Sequence, residues 1–304
     1  MSRHQHPDSP PADGLAMGVG AYALWGLLPL YFKLLQPVGA VEIVAHRVAW
    51  SLLLVLAIVA LRRRLALWRS LLRQVRVLRL MAASATLIAV NWLVYVWAVN
   101  HAHVVAASLG YFLNPLVNVV LGLLVFGERL GRLQWTAIAL AGAGVAVMAQ
   151  AAPGGLWISL ALALSFGFYG MVRKLAPIES LEGLATETLL LTPAALVYLV
   201  WLGVAGGLDF GQERGTDLLL MLSSVMTSVP LLLFAAAARR LRYSTLGLLQ
   251  YIAPTLQFLL GVLAFGEPLT TRMLIAFALI WTGLAVFTAH ALATHRRRRP
   301  APAV

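Results

Sequence analysis

The chain has 304 residues, 61% of them hydrophobic and 11% charged, against about 45–50% and about a quarter in a soluble globular domain. That balance excludes a soluble enzyme, a disordered scaffold and a disulfide-stapled secreted domain. The lack of cysteine also removes thiol nucleophiles, cysteine–zinc sites and iron–sulfur clusters.

Apolar runs bounded by Arg, Pro and Gly clusters predict an all-α polytopic membrane protein with ten transmembrane helices, at about 20 residues per crossing. In chain order they cover 15–35, 43–61, 78–99, 104–126, 133–150, 155–175, 184–203, 218–237, 244–265 and 272–293. Residues 1–14 are polar and proline-rich and read as a disordered cytoplasmic tail. They carry little positive charge and lead into a full-length span with no small-residue cleavage site, so a signal peptide is not expected. Residues 294–304 form a basic cytoplasmic tail, whose Arg296 to Arg299 reads as an anchor beside acidic headgroups rather than a nucleic-acid arm.

Charge sets the expected orientation. With the N-terminus in the cytoplasm, nineteen of the 23 Lys and Arg residues fall inside. They are Arg3; Arg62, Arg63, Arg64, Arg69, Arg73, Arg76 and Arg79; Arg129 and Arg132; Arg173 and Lys174; Arg239, Arg240 and Arg242; and Arg296 to Arg299. Lys33, Arg214 and Arg272 fall outside, and Arg47 lies within a helix. The net charge of +12 therefore reports cytoplasmic loops. Both termini inside requires an even number of spans.

The sequence repeats itself. Residues 115–147 align without a gap on 254–286, with fourteen identical pairs that include Pro115/Pro254, Gly122/Gly261, Gly127/Gly266, Glu128/Glu267 and Gly144/Gly283. A weaker echo at offset 141 links Gly26 to Gly167 and Lys33 to Lys174. Self-similarity at a fixed offset marks a structural repeat. The units are 15–150 and 151–293. Each holds five helices, an odd number, so the second must enter the membrane from the opposite side. Two inverted five-helix repeats with a site between them are the architecture of many secondary transporters. A duplicated scaffold without transport is the alternative.

Polar residues within the spans are the candidates for function, because a central charge costs about 2.5–3.5 kcal/mol. Helix two holds His46 and Arg47, one turn past Glu42, and helix seven holds Glu187 at the position matching His46. Arg47 and Glu187 sit at different depths, roughly 20 Å apart, so pairing between them is not expected. For Arg47, solute contact and a structural role both remain open. Glu187, with His46, is a candidate proton carrier, because desolvation favours the neutral carboxyl; snorkelling to the surface is the other reading.

Two stripes are more telling. Tyr111, Pro115, Asn118 and Gly122 share one helical face, and their offset-139 counterparts are Gln250, Pro254, Gln257 and Gly261. Each proline frees a backbone carbonyl, and each glycine permits close approach. Asn91 and Tyr95 share a face with Ser84 on helix three, and helix eight offers Ser224, Thr227 and Ser228. Trp25 and Phe166, matched at offset 141, add aromatic walls suited to an apolar or aromatic solute. Gly127-Glu128 and Gly266-Glu267 read as helix termination plus a cap for the next helix.

Trp25-Gly26 with Pro29 and Lys33, the run Glu42 to Val48, Asn91-Trp92 through Asn100, Ser108 to Tyr111 with Asn114-Pro115, and Gly127-Glu128-x-Leu130 resemble the RarD-type proteins of the EamA family, in the drug/metabolite transporter superfamily. The resemblance covers about residues 15–293. The second half departs from the pattern, with Pro268 after Glu267 and no His-Arg on helix seven. The resemblance implies a multi-pass bacterial inner-membrane transporter of the chloramphenicol-sensitivity type. The superfamily is associated with efflux of metabolites and drugs and with some uptake, so export follows by analogy only, with the solute undefined.

The leading expectation is a secondary carrier moving a small amphipathic or aromatic solute, in the direction of export and with proton coupling as an option. A non-transporting membrane regulatory or assembly partner is the alternative. An integral-membrane enzyme lacks the reactive cluster it would need, and His101 and His103 are too weakly spaced for a metal site. No cofactor, metal or nucleic-acid partner is called for; the expected partners are a small solute and the lipid bilayer.

Overall fold

The structure, a computed structural model, describes residues 12–126, 131–151, 153–238, 240–241 and 249–297. Those residues are mostly helical, with no strand among them, as lipid demands of any backbone that must satisfy its own hydrogen bonds. The helices are α1 (Ala12–Leu34), α2 (Ala40–Leu61), α3 (Leu65–Leu72), α4 (Val75–Asn100), α5 (Val104–Phe126), α6 (Arg132–Ala151), α7 (Pro153–Leu175), α8 (Ser180–Val204), α9 (Arg214–Ala238), α10 (Ile252–Leu259) and α11 (Thr271–Arg297). Residues Leu260–Ala264 continue α10 as a π-turn. Seven helices among the described residues are long and apolar enough to cross a membrane, and Trp135–Met148, Ile252–Ala264 and Thr271–Val286 are shorter apolar segments.

Three elements differ from the sequence expectation. The first helix starts at Ala12, inside the segment read as a tail, with Asp13 in its first turn, where a carboxylate suits the helix dipole. The last helix runs to Arg297. The arginine-rich loop after α2 contains α3, whose Leu65, Trp68 and Leu72 recur at helical spacing and pack with Val55, Val59 and Ala185. Of the ninth predicted span, residues 244–248 lie outside the described residues, as do Gly127 to Leu130.

The packing has a regular plan. Match α1, α2, α4, α5 and α6 in order with α7, α8, α9, α10 and α11. The main contacts between these two sets are α6 with α11, α2 with α8, α5 with α10, α5 with α7, α1 with α10, α4 with α7, α1 with α9, α2 with α9 and α4 with α8. Exchanging matched helices leaves that set unchanged. Residue contacts follow it: a Cβ on Gly144 would meet Ile280 at 2.7 Å and the Ala276 carbonyl at 2.9 Å, and one on Gly283 would meet the Ala137 carbonyl at 2.8 Å. Gly26 lies against Leu256, and its counterpart Gly167 against Val117, the matching position. Small residues let these backbones approach closely, which is how helices associate in lipid.

Candidate functional site

The main core gathers Phe32, Val44, Trp92, Val96 and Ile158, and Arg47 lies beside it. Arg47 is 5% exposed. Its Nε donates to Thr227 Oγ1 on α9 at 2.7 Å, and Thr227 donates onward to the Ser223 carbonyl. The guanidinium carbon sits 4.3 Å from the Trp92 ring centre and 6.0 Å from that of Phe32, within cation–π range. The phenol groups of Tyr111, Tyr31 and Tyr95 lie near it. An aromatic chain continues outward, from Tyr31 through Phe32, Tyr95, Tyr111 and Phe166 to Tyr169, each ring centre 5.3–6.1 Å from the next.

Two amides fix the helices around this centre. Asn91 donates to the Leu162 carbonyl at 3.1 Å and Ser165 Oγ at 3.0 Å, and accepts from the Tyr111 hydroxyl at 3.0 Å. One side chain thus ties α4 to α5 and α7. Gln257 Nε2 donates to the Trp25 carbonyl at 3.2 Å. Pro29 lies inside α1 and lacks the N–H that would otherwise take that carbonyl, so the amide replaces a bond the helix cannot make.

His46 and Glu187 belong to separate clusters. Glu187 is 1% exposed; it accepts from Ser84 Oγ and lies 3.6 Å from Arg173 Nη1. The guanidinium of Arg173 occupies the space where a Cβ of Gly183 would stand. His46 stacks on Phe210 at 4.7 Å and lies 3.8 Å from Glu42.

Glu42, beside His46, belongs to the first of two latches that hold opposite ends of α2. At its start, buried Glu42 accepts the backbone N–H groups of Asp209 at 3.0 Å and Phe210 at 3.2 Å, in the connector that follows α8. Past its end, Arg64 bonds Glu179 at 2.6 Å and Glu182 at 2.7 Å, and Trp68 Nε1 donates to Thr186 at 3.0 Å. The hydrogen bond to Glu179, with the charge of Glu182, shifts the Arg64 guanidinium further above its already high value. The start of each of α2 and α8 is therefore held by the connector that follows the other. That arrangement makes the two helices antiparallel.

The structure brings Arg47, Asn91, Tyr95, Tyr111 and Phe166 together, and places Trp25 and Gln257 at one junction beside them. Asn118 is exposed. Gln250 sits in a turn before α10 rather than on it, because Pro254 belongs to that helix's first turn. Sequence reasoning missed Tyr31, Phe32 and Arg173; the last was counted only among the inside charges. The Gly-Glu reading needs correction. Glu267 accepts from Val104 N and Val105 N, so it caps α5 and not the helix that follows it; Glu128 lies outside the described residues. A cavity of about 340 Å³ among Ala102, His103, Met148, Glu267 and Met273 lies at these turns and not at Arg47.

A helical bundle spanning the bilayer, with a polar and aromatic centre where its elements meet, is the build of a membrane transport protein rather than an enzyme. The model of the EamA-like transporter family matches residues 13–150 and again 153–289, and the chain belongs to that family, within the drug/metabolite transporter superfamily. Protein RarD of Streptomyces exfoliatus is 50% identical, over 94% of this chain and 91% of its own. Protein RarD of Escherichia coli is 44% identical over 93% and 96%, and a chloramphenicol-sensitive protein RarD of Pseudomonas aeruginosa is 34% identical over 88% and 91%. A protein of known crystal structure shares the fold with a TM-score of 0.62, covering 91% of this chain and 98% of its own at 23% identity. The chain is accordingly a multi-pass bacterial membrane protein.

Proposed function

We propose that the chain is a secondary carrier that exports a small amphipathic or aromatic solute by alternating access. Its frame is ten spans in two inverted five-helix repeats, 15–150 and 151–293, with both termini cytoplasmic. The observation that carries this reading is the exchange pattern of the packing, in which each main contact between the two sets has its counterpart under the swap of matched helices. A bundle built that way can trade the shapes of its halves, turning an inward-open state into an outward-open one. The family model's double match and the paired latches at opposite ends of α2 support it further. Releasing Glu42 from the 209–210 connector opens one end, and releasing Arg64 from Glu182 opens the other.

The solute sits among Trp25, Arg47, Asn91, Tyr95, Tyr111, Phe166 and Gln257, with Asn118 and Gln250 reached as the stripes move. Proton coupling runs through Glu187, with His46 as the second carrier. Purified protein in proteoliposomes tests the reading, with chloramphenicol, indole and phenylacetate as probes, with and without a pH gradient. The expected result is saturable counterflow of at least one probe. No flux above protein-free vesicles for any of them overturns it.

A further inference from the structure

Among the described residues Arg47 has no counter-charge. Its residue is 5% exposed, and of its five N–H donors only Nε has an acceptor among the described residues, Thr227 Oγ1. No carboxylate is ion-paired with it among those residues. Its surroundings are neutral: the faces of Trp92 and Phe32 and the phenols of Tyr31, Tyr95 and Tyr111. Ring faces attract a cation but accept no pair of parallel hydrogen bonds, and neutral hydroxyls leave its charge uncompensated. A buried charge lacking both needs an anion to arrive from elsewhere.

We infer that the transported solute is a monoanion, a carboxylate on an aromatic body, and that Arg47 holds the carboxylate through its two terminal nitrogens. This rests on the carrier reading above and names the solute class for that same site. Three features choose the class. The guanidinium edge matches a planar carboxylate in a two-pronged bond. One cation among the described residues of this cluster balances one negative charge, where a phosphate dianion would require a second. The ring chain from Phe32 to Phe166 offers aromatic surface on which the body of such a solute stacks.

Thr227 is the positioning residue. Its hydroxyl donates to the Ser223 carbonyl, which leaves a lone pair aimed at Arg47 Nε and sets the plane of the guanidinium. Trp92 supports that plane from its face.

The test compares acids with their neutral isosteres on the full-length protein in nanodiscs and proteoliposomes. The probes are phenylacetate and indole-3-acetate against phenylacetamide and indole-3-acetamide, read by calorimetric binding and by counterflow. The acids are expected to bind tighter than the amides by about 10-fold to 100-fold, the range for a hydrogen-bonded charge pair. Arg47→Gln removes that preference, and Thr227→Val weakens it while leaving the charge in place. If Arg47→Gln does not fold, Arg47→Lys serves, keeping the charge and losing the fork, with a reduced acid preference expected. Amides that bind and move as well as the acids overturn the inference and leave the carrier reading standing. Arg47→Gln retaining the acid preference does the same. Flux of neither set overturns the inference, and the carrier reading falls with it when chloramphenicol and indole are not carried either.

Discussion

Glu267 and Val104 are 163 residues apart in sequence and joined at 2.6 Å, carboxylate Oε1 to backbone N–H. The second oxygen takes the N–H of Val105 at 2.8 Å. An α-helix leaves its first N–H groups without internal partners, and here a carboxylate from the turn before α11 satisfies two of them for α5. Glu267 is itself buried at 7% exposure, so the link is internal.

Removing that cap leaves two N–H groups and a helix dipole uncompensated. Glu267→Ala is expected to cost about 1–2 kcal/mol, and Glu267→Gln less, because its amide oxygen still accepts. Thermal unfolding in nanodiscs checks the order, parent above Gln above Ala. Equal melting of all three shows that the cap contributes nothing.

The pair of Gln257 and Pro29 gives a cycle with a sign. Gln257→Leu leaves the half-buried Trp25 carbonyl without its donor, a loss of up to about 1–3 kcal/mol. Pro29→Ala restores an N–H that can reach the same carbonyl inside α1. The Leu substitution should therefore cost less in the Pro29→Ala background than in the parent. Strict additivity of the two changes in melting experiments counts against the replacement of a helix bond by the amide.

Much of this was legible in the chain, and the rest fails for a common reason. The apolar run at 104–126 marks α5 at its observed bounds, because a bilayer-length segment declares itself by composition. The offset that pairs Gly144 with Gly283 anticipates a crossing where each glycine meets the other helix. What sequence cannot supply is direction around the helix axis between distant elements. Hence Glu267 read as a cap for the next helix when it serves α5, and Arg173, counted only among the inside charges, reaches back to Glu187. The bonds from Asn91 to Leu162 and Ser165 are invisible along the chain for the same reason. The helix α3 was hidden because eight residues among arginines carry too short a period to stand out.

Gly183 and Arg173 make the strongest steric prediction. The arginine's guanidinium fills the position of the missing Cβ, so Gly183→Ala must displace it and strip Glu187 of its counter-charge. The expected cost is at least about 1–3 kcal/mol, the penalty for a buried group left unsatisfied. In an Arg173→Ala background the same change meets no obstacle and should stabilise by up to about 1 kcal/mol, the helix preference of Ala over Gly. Melting temperatures of the four proteins check this. Destabilisation of similar size in both backgrounds shows that the glycine is needed for some other reason.

On the proposed carrier reading, Glu187 is the residue at which proton coupling is tested. Its carboxylate is held by Ser84 and Arg173 with 1% exposure, so a proton taken up there must loosen the pair with Arg173 before it can leave on the other side. Glu187→Gln keeps the shape and an acceptor for Ser84 while removing the titration. In proteoliposomes this variant should lose flux driven by a pH gradient, by about 100-fold or to background on the scale of a lost general acid–base group. Counterflow, which needs no net proton movement, should persist within a few-fold of the parent. Gradient-driven flux that survives in Glu187→Gln assigns the proton elsewhere, with His46 against Phe210 and Glu42 the next residue to change. Loss of both modes together makes Glu187 a structural member of the α4–α7–α8 junction and not a carrier of protons.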